Sequence, residues 1–371
     1  MNRRIIVVIG IAALLALGFI LTADLRPGIW LRDRMAGIAV EHPAGESIVQ
    51  QRPGSHHVTF EGTLGLGCVG VEGFTRSSDR DEGYPARNDW TPGVTNWGKF
   101  RVELPMEVGW NSVWLRTKFR DHQTIDVSRV AVGELFIVAG QSNAAGASDA
   151  LFTTESNHVR RGTLNSAGTL VWGRGDDPQT PFSGGSPWPL VGDALVDKLS
   201  RPIGFINVAE GGSSILDWNE EGRLFQRLVA ALNATRPHYV RAILWAQGES
   251  DSELSSEQYR RHLSELIANV DRALERGLSV PWLVAVSTQK GNQSFHAVRR
   301  AQESVIASGA ALPGPDTDSL GREFRARDGT HFNQEGTIRL ASLWTTSIWE
   351  NLFRETMAPE KPGAEGSPGE I

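Results

Sequence analysis

Two spacings of apolar residues divide this chain. Between residues 58 and 132 the period is two. Val58 and Phe60 alternate with polar neighbours, as do Phe100, Val102, Leu104 and Met106, then Val113, Leu115, Thr117 and Phe119. Ile125, Val127, Val130 and Val132 extend the pattern. Residues two apart share one face of a strand, so these stretches predict strands with one buried face. Gly109-Trp110-Asn111-Ser112 supplies turn chemistry between two of them. No stretch here has helical spacing. The expectation is a small antiparallel β-sandwich over 56–132. The Gly-, Pro-, Asp- and Arg-rich stretch 70–98 reads as a long loop, and 24–55 as a linker leading in.

From residue 133 the pattern becomes strand followed by helix. Runs at 135–139, 203–209, 240–246 and 282–286 are short and predominantly apolar, as in strands covered on both faces. Tyr259, Leu263, Leu266, Ile267, Val270 and Leu274 form one helical stripe, and Ile338, Ala341, Trp344, Ile348 and Leu352 another. Trp188, Leu190, Val191 and Leu195 begin a third. This alternation predicts an α/β domain over 133–354, a parallel sheet with helices on both faces. Residues 355–371, rich in Pro, Gly and Glu, are expected to be a disordered tail.

The first residues carry a different signal. Arg3-Arg4 precede an uncharged stretch over 5–23, long enough to span a bilayer as a helix. A signal anchor is favoured over a cleaved signal peptide, because Leu21 stands where cleavage after Ala23 would need a small residue. The expected location is membrane-anchored with the large portion after the segment exported to the periplasm or cell exterior, or secreted. A net charge of −6 argues against a nucleic-acid partner. The single Cys68 excludes an internal disulfide and argues against a thiolate metal site. His56 and His57 point to opposite faces of a strand, and no His-Glu-x-x-His occurs, so no metal or cofactor is expected.

The residues just after each apolar run carry the chemistry. The runs end in Gly140-Gln141-Ser142-Asn143, Glu210-Gly211-Gly212-Ser213-Ser214, Gln247-Gly248-Glu249-Ser250-Asp251 and Ser287-Thr288-Gln289-Lys290. In a parallel sheet these junctions share one edge, where open α/β sheets bind their ligands. Asp328-Gly329-Thr330-His331 precedes the last helix, on a loop returning to that edge. Acyl transfer needs a nucleophile, a base, an orienting carboxylate and donors for the oxyanion. Ser142, His331 and Asp328 can fill the first three places. The N–H groups of Ser142 and Gly212 and the side-chain amide of Gln247 are candidate oxyanion donors. Gln141, Asn143, Glu249 and Trp218 are candidate substrate-binding residues. Asp251 reads as an acid in the first turn of the Tyr259 helix. The Gly-, Ser- and Thr-rich segment 147–187 reads as a lid or substrate wall. Trp172 and Trp218 read as sugar-stacking candidates, and Trp188, which could stack likewise, reads first as core packing of the helix it begins.

These four motifs together resemble the sialate O-acetylesterase branch of the SGNH hydrolases, over roughly residues 134–353. The resemblance implies a flavodoxin-like three-layer fold and the removal of acetyl groups from carbohydrates. It also implies Ser142 as nucleophile, with His331 and Asp328 as its partners. The chain departs from the wider superfamily where Gln141 and Gln247 stand near positions held by Asp and Asn. The reading is a serine esterase acting on an acetylated glycan or glycoside. An acyltransferase that passes the acyl group to a sugar is the first alternative. A catalytically silent carbohydrate-binding protein is the second, and intact Ser142, Asp328 and His331 speak against it.

Overall fold

The computed structural model describes residues 37–354, apart from residues 53, 55–56, 66–67, 69, 79–88, 118–123, 182, 276 and 292. The apolar stretch 5–23 and the tail 355–371 lie outside the described residues. Among the described residues no helix is long and apolar enough to cross a membrane. The chain divides into two compact units, one comprising the residues up to Ser47 with Arg52–Ala131, the other Ile48–Gln51 with the residues from Val132 onward.

The first unit is all β. One sheet orders the strands Ile38–His42, His57–Leu64, Lys99–Pro105 and Val94–Asn96, with antiparallel pairing throughout. In the other, Val71–Ser77 pairs with Thr91–Pro92 and with Gly109–Thr117. The period-two residues Val58, Phe60, Phe100, Val102, Leu104, Val113 and Leu115 are all buried between them. Gly73 shows how closely the layers meet, since a Cβ there would lie 2.7 Å from Leu104. Two expectations are corrected here. Residues 38–42 and 48–50 are strands rather than linker, and the supposed loop 70–98 contains the strands at 71–77, 91–92 and 94–96. Strands of two to five residues leave too few alternating positions to reveal the period, and in Val71–Ser77 only Val71 and Gly73 are buried.

The second unit is α/β. Its sheet runs in the order Leu170–Arg174, Val159–Leu164, Ile203–Asn207, Thr124–Gly140, Ala242–Ala246, Trp282–Val286, Leu312–Asp316. Every pairing is parallel except that of the edge strand Leu170–Arg174. Alternate residues of each strand serve opposite faces. Leu135, Ile137 and Ala139 join Ile243, Trp245 and Val284 beneath the helices Arg223–Ala234, Ser256–Ala273 and His296–Ala307. Phe136 and Val138 join Phe205, Leu244 and Leu283 beneath Trp188–Leu199 and Gln334–Leu352. Both faces are covered, which is why the central strands, at 135–139, 242–246 and 282–286, read as unbroken apolar runs.

At the amino-terminal edge of this sheet the buried Glu134 accepts from Arg241 at 2.7 Å, Arg201 at 3.0 Å and Gln50 at 2.7 Å. These bonds tie together the starts of neighbouring strands. The opposite, carboxyl edge is left for chemistry. The chain leaves the central strand at Gly140 toward one side of the sheet and crosses later to the other, so the crevice at its end is a topological switch point.

Candidate active site

Gly140 ends the central strand at φ +126°, and a Cβ there would sit 2.0 Å from the Ala246 carbonyl oxygen. Only glycine permits this approach and this backbone angle together. Next comes a single helical turn, Ser142–Ala145. Ser142 opens it, so its N–H has no partner inside the helix. Its side chain faces a cleft of about 960 Å³ lined also by Gln141, Gly211, Gly212, Glu249 and His331.

His331 arrives from the far end of the chain. Its Nε2 lies 2.9 Å from Ser142 Oγ, and its Nδ1 lies 2.6 Å from Asp328 Oδ2. The other carboxylate oxygen of Asp328 accepts the N–H groups of Thr330 at 2.8 Å and His331 at 3.0 Å. Gly329 makes this turn possible at φ +72°, packed so closely on Gly291 that a Cβ would lie 2.6 Å from its carbonyl oxygen. Partial burial of Asp328 opposes ionisation. The two N–H bonds and the imidazole outweigh it and hold the carboxyl below its ordinary pKa. Two residues on, Asn333 caps the helix Gln334–Leu352 by accepting from Gly336 N–H at 2.8 Å, and it donates to the Glu323 carbonyl at 2.8 Å. The loop bearing His331 is therefore fixed on both sides.

The second block lies across the cleft. Gly211 faces Ser142, a Cβ at 211 being 3.7 Å from that of the serine, and Gly212 turns at φ +75°. Glu210 binds Arg223 at 2.5 Å and Arg227 at 3.1 Å. The hydrogen bond from Arg223 is the main cause of its lowered pKa. Thr163, Leu164, Thr180, Pro181, Ser183 and Gly184 form another wall. The segment 147–187 thus contributes a wall as expected, although it also contains two strands of the sheet.

Four expectations are corrected. Gln247 is fully buried, and its Nε2 is used by Gln141 Oε1 and the Ser213 carbonyl, both at 3.1 Å, and by Asp251. Its Oε1 accepts from Tyr259 at 2.7 Å. No donor of that amide is left for an oxyanion. Trp218 is also buried, with its Nε1 donating to Ser213 Oγ at 3.3 Å, so it supports the second block instead of stacking on a sugar. Trp172 packs against the core, whereas Trp188 is buried as its place in the helical stripe predicts, donating to the Ala144 carbonyl at 2.7 Å. Asp251 does not open the Tyr259 helix, which starts at Ser256. It accepts from Ser214 Oγ at 2.5 Å and Ile215 N–H at 3.0 Å.

Asn143 is buried and does not line the cleft, which corrects its assignment to substrate. Its amide donates to Glu249 Oε1 at 2.8 Å and to the Thr330 carbonyl at 3.3 Å. Glu249 does line the cleft, but Ser287 Oγ also occupies its Oε1, at 2.9 Å, and its buried Oε2 has no partner. Burial raises the Glu249 pKa. Gln141 lines the cleft with its Oε1 accepting from Gly248 and Ser250 N–H groups at 3.3 and 3.2 Å. Its Nε2 is the end of that amide free to serve a ligand. Sequence reasoning missed Arg325, buried behind the histidine loop and donating to the carbonyls of Thr330 at 2.7 Å and Thr317 at 2.8 Å. Among the described residues no three His, Cys, Asp or Glu side chains form a group that could hold a metal ion.

Known proteins share this architecture. The family model described as carbohydrate esterase, sialic acid-specific acetylesterase, matches residues 132–350. The chain belongs to that family. This carbohydrate esterase is therefore a carboxylic ester hydrolase, and the match covers the α/β unit that carries the cleft. A probable carbohydrate esterase of Arabidopsis thaliana is 25% identical over 240 residues, 57% of this chain and 89% of that one. The solved structure of an Arabidopsis thaliana protein aligns with a TM-score of 0.48 and 22% identity over 59% of this chain and 99% of that one. A carbohydrate acetylesterase from Xanthomonas citri aligns with a TM-score of 0.61 and 15% identity, over 86% of this chain and 76% of that one, a likeness of fold.

Proposed function

We propose that this esterase removes O-acetyl groups from a carbohydrate through an acetyl-serine intermediate, on a flavodoxin-like SGNH scaffold. The observation that carries the reading is the unbroken line from Ser142 Oγ through the His331 ring to the Asp328 carboxylate, with separations of 2.9 and 2.6 Å. Ser142 Oγ attacks the acetyl carbonyl carbon while His331 Nε2 takes its proton. Asp328 keeps the other ring nitrogen protonated and stabilises the imidazolium. The N–H groups of Ser142 and Gly212 receive the negative charge on the carbonyl oxygen. As the tetrahedral centre collapses, the C–O bond to the sugar breaks and His331 returns the proton to the sugar oxygen. Water, deprotonated by His331, then releases acetate and restores the serine. Gln141 Nε2 and the wall at Thr163 and Thr180 are the groups that meet the sugar.

The reading also takes residues 5–23 as an anchor that leaves the catalytic unit exported. Support comes from the uncharged stretch behind Arg3-Arg4. Protease-accessible protein in the washed membrane fraction is the expected result, and release as soluble protein by a salt wash alone would contradict it.

Acetate release from O-acetylated glycans tests the activity, in the presence of a non-acetylated sugar acceptor. Free acetate is expected, with the acceptor unchanged. Acetyl appearing on the acceptor with little free acetate would make the protein a transferase.

A further inference from the structure

We propose that Glu249, Asn143 and Arg325 form a positioning network that holds the His331 loop in register with Ser142. The proposal rests on the reading of Ser142 as nucleophile and gives work to three buried side chains that the reaction itself does not use.

The bonds within the turn fix Asp328 and His331 to each other. They do not fix the pair to the serine. Thr330 does that. Its hydroxyl accepts from Gly291 N–H at 2.9 Å, and its carbonyl is shared by Arg325 Nη1 at 2.7 Å and Asn143 Nδ2 at 3.3 Å. Arg325 is itself tied to Thr317 and Leu320 carbonyls at 2.8 and 3.3 Å, with its guanidinium 4.0 Å above the Phe332 ring. Asn143 adjoins the nucleophile, so its amide is the shortest bridge from the serine's own helical turn to the residue preceding His331.

Glu249 aims that amide. Its Oε1 takes Asn143 Nδ2 at 2.8 Å and Ser287 Oγ at 2.9 Å, joining the ends of two strands to the nucleophile's turn. A buried carboxyl with one oxygen unpartnered costs stability, and such groups call for a functional explanation. Here the explanation is placement. A displacement of about 1 Å between reacting groups can cost on the order of 10²-fold in rate.

The test is steady-state hydrolysis of a chromogenic acetyl ester by the whole protein. Glu249→Ala and Asn143→Ala should each lower kcat by about 10²-fold with KM little changed. Glu249→Gln, which keeps an acceptor at Oε1, should recover most of the loss. The Glu249→Ala/Asn143→Ala double variant should be no slower than the slower single, because both break one path. If Glu249→Ala does not fold, Asn143→Ala with Arg325→Lys supplies the same cycle, since lysine can reach only one of the carbonyls. Normal kcat in Asn143→Ala, or losses that multiply in the double variant, would overturn the network. Ser142→Ala run alongside separates the two readings. An active Ser142→Ala removes the nucleophile itself, whereas an inactive one beside a fully active Asn143→Ala removes the network alone.

Discussion

His331 Nε2 lies 2.9 Å from Ser142 Oγ although 189 residues separate them in the chain. No local structure can produce that contact. It depends on the central strand delivering Ser142 to the carboxyl edge and on the last loop returning to the same place. Asp328 is then the group on which the imidazole's orientation depends, with a separation of 2.6 Å at Nδ1.

Replacing Asp328 by Asn should leave the fold intact and lower kcat by as much as about 10⁴-fold, the loss seen when the orienting carboxylate of a triad becomes an amide. Steady-state kinetics with a circular-dichroism control checks this. A loss below about tenfold would remove Asp328 from the mechanism.

The same carboxyl has a pH signature in stability. Its folded pKa is lowered, so its contribution is complete above the unfolded value and is lost as pH falls through the folded value. The difference in melting temperature between wild type and Asp328→Asn should be constant from neutral pH down to the ordinary carboxylate range and shrink below it. A difference that shrinks only toward alkaline pH would contradict the assignment.

Glu249 has the opposite sign. Burial raises its folded pKa, so the folded state binds the proton more tightly, and stability falls as pH rises from the unfolded value through the folded one. Glu249→Gln cannot ionise. Its melting temperature relative to wild type should therefore climb over that interval and then level off. A pH-independent difference would show that the carboxyl is not desolvated in solution.

Gln247→Ala should damage stability more than chemistry. The substitution takes the side-chain donor from the Ser213 carbonyl and from the Asp251 carboxylate, at about 1–3 kcal/mol for each buried group left unpaired, while the Tyr259 hydroxyl keeps the residue-247 carbonyl at 2.8 Å. Thermal denaturation should show the loss, while kcat per folded molecule should fall far less than the roughly 10²–10³ typical of a lost oxyanion donor. A fall of that size with an unchanged melting temperature would return Gln247 to the oxyanion site.

The central strands were legible because burial on both faces writes an unbroken apolar run, as at 135–139 and 242–246. Val159–Leu164 and Leu170–Arg174 were not, because Arg160, Arg161 and Arg174 interrupt them with charges near the sheet's edge. Ser142, Asp328 and His331 could be found because each is a polar group at a junction where the chain leaves or rejoins the carboxyl edge. Gln247 and Trp218 sit at the same junctions but point into the protein. Spacing tells where a residue lies along a strand end, not which way a side chain turns once the strand has stopped. Arg325 carried no sequence signal at all, since its meaning lies in the carbonyls of Thr317, Leu320 and Thr330 that it gathers.

The most direct measurement is the rate of acetyl-ester hydrolysis by wild type and by Ser142→Ala at equal folded concentration, with intact-mass detection of acetylated protein after rapid acid quench. Wild type should turn over and carry one acetyl group during the reaction, and Ser142→Ala should show neither above background. A Ser142→Ala protein that hydrolyses the ester at the wild-type rate would contradict the account.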